Sequence, residues 1–173
     1  MSHSICEGFG SRVIHGGNTK DRGYRSLSMP VYQTSTFYFD SCEDGGKAFA
    51  GESDSYIYTR LGNPTIALAE EKIAEMECAE AAVATGSGMG AISSVLWTIA
   101  GAGKHIVADG TLYGCTYSLL SHGMTRYGVE VTFVDSSDPG EVRSALRENT
   151  VAVYLETPAN PTLKIADIRA IAE

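Results

Sequence analysis

Apolar residues follow two regimes along the chain. Up to about residue 60, Tyr24, Tyr32, Phe37, Tyr38, Phe39, Phe49, Tyr56 and Tyr58 are scattered through polar, glycine-rich sequence with no sustained period. Such an arm cannot bury its aromatics against itself, so it is expected to pack on another domain or another subunit. From Gly62 the pattern turns periodic, which divides the chain into an arm, 1–61, and the start of a larger domain, 62–173. Asn63-Pro64 joins a capping side chain to a proline at the first helical position, and Ile66, Ala69, Ile73 and Met76 then mark one helical face. A short apolar strand, Ala81–Ala84, leads through a glycine turn into a helix with Ile92, Val95, Leu96 and Ile99 at helical spacing. His105–Asp109 reads as a strand, Thr116–Tyr127 as a helix and Val129–Asp135 as a strand. Asp138-Pro139-Gly140-Glu141 is a capped start for a helix to Arg147. Val151–Glu156 is a further strand, and Ile165, Ile168 and Ala172 open a last helix. Four strands alternating with helices predict an α/β fold with a mostly parallel sheet flanked by helices. The pattern stops inside that last helix without a cap or glycine, as expected for the N-terminal part of something longer.

Composition narrows the partners. Against 21 acidic residues stand 13 basic ones, a net charge of −8, which argues against a protein whose main partner is a phosphate backbone. The apolar content of 43% with 20% charged residues suits an ordinary folded core. Ala81 to Gly103 carries no charge, yet its Gly-Ser-Gly-Met-Gly break fits a buried strand, turn and helix better than a membrane span. Cys6, Cys42, Cys78 and Cys115 form no Cys-x-x-Cys pair, and His3, His15, His105 and His122 lack zinc spacing. Reduced thiols in a cytoplasmic protein are expected.

Ligands of open α/β sheets lie beyond the carboxyl ends of the strands, and three such ends carry unusual residues. Thr85-Gly86-Ser87-Gly88-Met89-Gly90-Ala91 runs from a strand into a helix, where free amides and close backbone make a phosphate site; tight packing is the alternative. Leu112-Tyr113-Gly114-Cys115-Thr116 offers an aromatic that could stack on a planar ligand, with a hydroxyl for proton transfer, beside a thiol at a helix start. Packing is the plainer role for either side chain. Glu156-Thr157-Pro158-Ala159-Asn160-Pro161 holds the strand exit extended and aims an amide into the crevice, or else merely begins a turn. In the arm, Tyr58 and Arg60 could clamp a phosphate or lie on a solvated surface. The glycine segment also satisfies Gly-x-Gly-x-x-Ala with Asp109 about twenty residues on, so a nicotinamide-dependent dehydrogenase is a rival reading. A non-catalytic binding fragment is a third. Phosphate donors, a stacking aromatic and a fixed amide suit pyridoxal phosphate better than a long dinucleotide.

Five stretches in chain order resemble the Cys/Met-metabolism group of pyridoxal-phosphate enzymes. They are Pro30–Phe37, Tyr58–Thr65, Ser87–Ile92, Tyr113–Thr116 and Glu156–Thr162. The resemblance implies the large domain of an aspartate-aminotransferase-like (fold type I) PLP-dependent transferase. It implies Ser87, Gly88 and Met89 as donors to the phosphate of pyridoxal 5'-phosphate, with Tyr58 and Arg60 reaching it from the neighbouring subunit of a homo-oligomer, a dimer of dimers. Tyr113 would stack on the pyridine ring and protonate the leaving thiolate, Asn160 would bond the ring's phenolic oxygen, and Cys115 would tune substrate choice. The implied reaction is γ-elimination of L-methionine to methanethiol, 2-oxobutanoate and ammonia. Cystathionine γ-synthase, β-lyase and O-acetylhomoserine sulfhydrylase chemistry are the alternatives within the family. The family's cofactor-bearing lysine would lie beyond residue 173, because Lys20, Lys47, Lys72, Lys104 and Lys164 stand in no matching motif.

Overall fold

A computed structural model describes residues 8–16 and 26–173; Cys6, Lys20 and Tyr24 lie outside the described residues. The chain forms two compact units, Met1–Ala84 and Thr85–Glu173, so the boundary expected near Gly62 falls inside the first.

The first unit is built on helix α3, Pro64–Glu77. Its start is written locally: the Asn63 side chain accepts from the Thr65 amide at 2.9 Å, and Pro64 occupies a position where no amide is needed. Helix α1, Phe9–His15, lies against α3 through Arg12, whose Nη1 donates to the Glu75 carbonyl at 3.0 Å and meets Cys78 Sγ at 2.5 Å. The expected apolar face of α3 is not the covered one. Ala74 is buried, whereas Ile66 and Ile73 remain 37% and 49% exposed. The arm contains a second short helix that its weak period did not reveal. This is α2, Cys42–Phe49, with Ser41 as N-cap and Glu43 and Asp44 in its first turn. Its neighbouring aromatics pair locally, Phe37 with Tyr56 at 5.5 Å and Phe39 with Phe49 at 6.4 Å. The arm therefore does bury part of its aromatic surface against itself, though Tyr38 and Phe49 stay exposed.

In the second unit, α4 (Gly88–Ile99) precedes β1 (His105–Asp109), which is followed by α5 (Gly114–Ser118). The helical path continues as a π turn, Leu119–Gly123, and a 3₁₀ turn, Met124–Tyr127. The single regular helix expected to Tyr127 is thus three segments. After it come β2 (Glu130–Val134), α6 (Pro139–Ala145), β3 (Thr150–Tyr154) and α7 (Ile168–Ala172). The strands form one parallel sheet in the order β2-β1-β3, with Ile106 opposite Val131 and Ala152. The expected α/β class with a parallel sheet is what forms. The fourth strand does not: Ala81–Ala84 pairs with no strand among the described residues, and Val83 is exposed. A three-alanine run with one β-branched residue has little to hold it in a ladder without a neighbour, and the Ala84 amide is bonded to Glu70 Oε1 instead, at 2.7 Å.

β1 is buried along its whole length, as a central parallel strand should be. Its Ile106 and Ala108 point to one face, where Leu96 and Ala100 of α4 and Leu112, Leu120, Met124 and Val129 close the core. His105 sits fully buried on the other face, Nδ1 at 2.8 Å from Thr150 Oγ1 and Nε2 at 2.8 Å from Thr132 Oγ1, stitching all three strands together. Because β1 is central, the loops after β1 and β3 emerge side by side. Those loops carry Tyr113 and the segment 156–160.

Candidate active site

Helix α4 supplies an anion-ready end. The Ser87 hydroxyl accepts from the Gly90 amide at 3.0 Å, and the first main-chain bond runs from Ala91 to the Ser87 carbonyl at 3.1 Å. The amides of Gly88 and Met89 come ahead of that ladder and point outward, and Ser87 keeps its O–H proton to donate. The three glycines have different jobs. A Cβ at Gly86 or Gly88 would meet open space, so the backbone there stands free for a ligand to approach. A Cβ at Gly90 would press on Ser87 Oγ at 3.2 Å, so that glycine makes room for the cap. Open backbone, unclaimed amides and a hydroxyl suit a phosphate group.

The β1 exit brings two expected site residues into one contact. Tyr113 is the N-cap of α5, half exposed, and its phenol is hydrogen-bonded to the Cys115 side chain. That bond and the charge Cys115 would carry hold the phenol above its ordinary pKa of 10.0, with a small contribution from burial. The phenol keeps its proton at neutral pH, available to a base strong enough to take it, such as a departing thiolate.

Two further bonds join the loops. The Tyr113 amide donates to Glu156 Oε2 at 2.9 Å, tying the β1 exit to the β3 exit. Thr116 Oγ1 lies 3.5 Å from Met89 Sδ, tying α5 to the start of α4. Thr116 is buried and also hydrogen-bonds Tyr154, whose hydroxyl is pushed up mainly by burial and then by the Glu156 charge. Glu156, Thr116 and Tyr154 were not singled out by sequence reasoning. Their contacts span 27 and 43 residues, and no local spacing signals such a contact.

The β3 exit is not the extended segment its prolines suggest. It folds on itself, the Leu163 amide donating to the Ala159 carbonyl at 2.7 Å and the Ala159 amide to the Lys164 carbonyl at 2.9 Å. Both the Thr157-Pro158 and Asn160-Pro161 bonds are cis. Lys164 pairs with Asp135, which fastens this loop to the β2 exit and pulls the carboxyl down to about 2. Asn160 is exposed and its side chain has no hydrogen-bond partner among the described residues, leaving its amide available.

On the first unit, Tyr58 pairs with Thr36 in an antiparallel bridge, and the Arg60 guanidinium lies 5.1 Å from the Tyr58 ring centre. Asn63 braces this turn, donating to the Tyr32 carbonyl at 3.0 Å and Thr59 Oγ1 at 3.1 Å. Both clamp candidates are exposed. A cavity of about 350 Å³ lined by Phe37, Phe39, Asp40, Asp44, Lys47 and Tyr56 also belongs to this unit and includes neither of them.

The dehydrogenase rival fails on Asp109. Its carboxylate would have to face a ribose, but it is buried, one oxygen accepting from the Thr111 amide at 2.9 Å and the other from Ser136. Among the described residues no group of three or more His, Cys, Asp or Glu could hold a metal, and no helix is long and apolar enough to cross a membrane.

Comparison with known proteins agrees with this geometry. The family model described as "Cys/Met metabolism PLP-dependent enzyme" matches residues 10–173. An L-methionine gamma-lyase of Fusobacterium nucleatum subsp. polymorphum is 60% identical over 166 residues, 96% of this chain and 42% of the relative. The solved structure of metB from Corynebacterium glutamicum superposes with a TM-score of 0.84 at 38% identity, covering 96% of this chain and 41% of that one. Cystathionine gamma-lyase from Lactobacillus plantarum, complexed with L-serine, gives a TM-score of 0.81 at 38% identity, with 95% and 41% covered. The chain thus spans about two fifths of the length of these relatives. With that family model matched over residues 10–173, the chain belongs to the Cys/Met metabolism family of PLP-dependent enzymes.

Proposed function

We propose that the protein carries out γ-elimination of L-methionine, yielding methanethiol, 2-oxobutanoate and ammonia. The observation that carries this reading is the joining of the Tyr113 loop to the open end of α4 through Thr116 and Met89 and to the β3 exit through Glu156. The likeness supports it: identity to an L-methionine gamma-lyase is 60%, against 38% for the cystathionine gamma-lyase structure.

When bound, pyridoxal 5'-phosphate supplies an electron sink for carbanions formed next to the amino carbon. The Gly88 and Met89 amides and the Ser87 hydroxyl would hold its phosphate, with Tyr58 and Arg60 completing the clamp from a neighbouring subunit. Tyr113 would stack on its ring, and Asn160 would bond its phenolic oxygen. As the C–S bond breaks, the Tyr113 hydroxyl gives its proton to the departing sulfur, so methanethiol leaves neutral. Cys115, bonded to that hydroxyl, sets both its proton affinity and the room left for the substrate's thioether. Among the described lysines, Lys47 pairs with Glu43, Lys164 with Asp135, and Lys72 reaches the Ile14 carbonyl. A lysine in the part of the relatives' length that this chain does not span would supply the covalent anchor. In this reading the protein is a cytoplasmic dimer of dimers, with residues 1–61 as the arm that crosses to the partner.

The test is product analysis on the whole protein. L-Methionine should yield methanethiol and 2-oxobutanoate in equal amounts, hydrazine treatment should abolish both, and added pyridoxal 5'-phosphate should restore them. No 2-oxobutanoate from methionine, with homocysteine made from O-acetylhomoserine and sulfide, would move the protein to the sulfhydrylases.

A further inference from the structure

We propose that Glu156 is a positioning residue for Tyr113, its carboxylate fixing where the phenol stands; this rests on the acid role given to Tyr113 above. Tyr113 caps α5 with no side-chain bond to the helix amides, and its carbonyl accepts from the Tyr117 amide at 2.9 Å, which leaves its own amide to be held from outside the helix. The Tyr113 amide is held by Glu156 Oε2, 2.9 Å away and 43 residues on in sequence. A carboxylate at the start of a helical run is favoured by the amide dipoles there, and the ionised acceptor shortens and strengthens the bond. The alternative is that the bond only steadies the fold. That alternative is weak here, because Tyr113 is half exposed and water can take over a released amide at little cost. Position is a different matter, since a shift of about 1 Å in a reacting group costs on the order of 100-fold in rate.

Glu156 also meets the rest of the site. Its charge is felt by Tyr154, Tyr154 is bonded to Thr116, and Thr116 contacts Met89 at the phosphate end. One carboxylate at the β3 exit therefore bears on the acid directly and on the phosphate end through two side chains.

The experiment compares Glu156→Ala with Glu156→Gln in the whole protein; the glutamine carbonyl can still accept from the Tyr113 amide. In the cofactor-free protein, hydrogen exchange at the Tyr113 amide should speed up about tenfold or more in E156A and stay near wild type in E156Q. In the loaded enzyme, kcat for methanethiol release should fall roughly 10- to 100-fold in E156A, with KM and cofactor affinity moving less than about threefold, and E156Q should recover most of the loss. Unchanged exchange and kcat in E156A would overturn the proposal, as would an E156Q variant as impaired as E156A. If the wild type releases no methanethiol the functional reading fails, while the exchange measurement still decides whether Glu156 holds Tyr113.

Discussion

Tyr113 at the candidate site and His105 in the sheet have their pKa moved in opposite directions. Cys115 raises that of Tyr113, so removing the thiol should release the proton at lower pH. In Cys115→Ala the phenol pKa should drop back toward 10.0, seen as phenolate absorbance near 295 nm appearing at lower pH than in wild type, with Tyr113→Phe to identify the signal. An unchanged titration would mean that the thiol does not govern the phenol. His105 is kept neutral: burial is the main cause, the Arg147 charge adds to it, and Glu130 opposes it. Its folded pKa lies below 6.5, so its contribution to stability is complete above pH 6.5 and is lost as the pH falls below that value toward the lowered one. Denaturant midpoints measured from pH 7.5 down to 5.5 should therefore decline, and His105→Gln, which cannot titrate, should flatten the decline. An equal slope in both proteins would assign the acid sensitivity elsewhere. The Tyr113 hydroxyl stood out in the sequence as a group for proton transfer, whereas the role of His105 was not readable there. The His105 partners, Thr132 and Thr150, are 27 and 45 residues away and are defined only by strand register.

Elements whose signals are local were legible, and those that depend on partners were not. The Asn63-Pro64 start of α3 was legible because cap and proline act within one turn, and the structure adds that Asn63 is nearly fully buried, bonded to Tyr32, Thr59 and Thr65. Asn63→Ala should cost about 1–3 kcal/mol, more than an exposed cap, because it also removes the donor to the Tyr32 carbonyl and Thr59 Oγ1. Thermal unfolding of the whole protein measures this, and Asn63→Asp should keep the cap but lose the amide donations. A loss no larger than that of an exposed cap would mean that the arm turn does not depend on Asn63. β1 was legible because Ile106–Ala108 form a short apolar run ahead of a glycine turn. Ala81–Ala84 was misread because alanine does not distinguish a strand from an extended connector. The regular helix expected over 116–127 is broken where Gly123 packs against Leu119, and periodicity is blind to a π turn that preserves the apolar spacing. For the site itself, motif residues were legible one by one, but the bonds joining their loops belong to the fold.

At the scale of the molecule, the arrangement of the arm decides whether one chain can make a site. Tyr58 and Arg60 are braced by their own unit yet exposed, and Tyr38, Phe49 and Leu61 of that unit are exposed as well. A braced, exposed clamp on a unit with uncovered apolar residues is what a subunit offering residues to its neighbour should present. The consequence can be tested by mixing. Arg60→Ala should lose cofactor retention and Tyr113→Phe should lose turnover, each leaving both sites of a homodimer impaired. If the clamp crosses between subunits, a mixed dimer contains one site with Arg60 from one chain and Tyr113 from the other, both intact. Random reassembly of equal amounts should then restore roughly a quarter of the sites, since half of the dimers are mixed and each holds one good site. If Arg60 and Tyr113 of a site come from the same chain, every site in the mixture keeps one defect and nothing is regained.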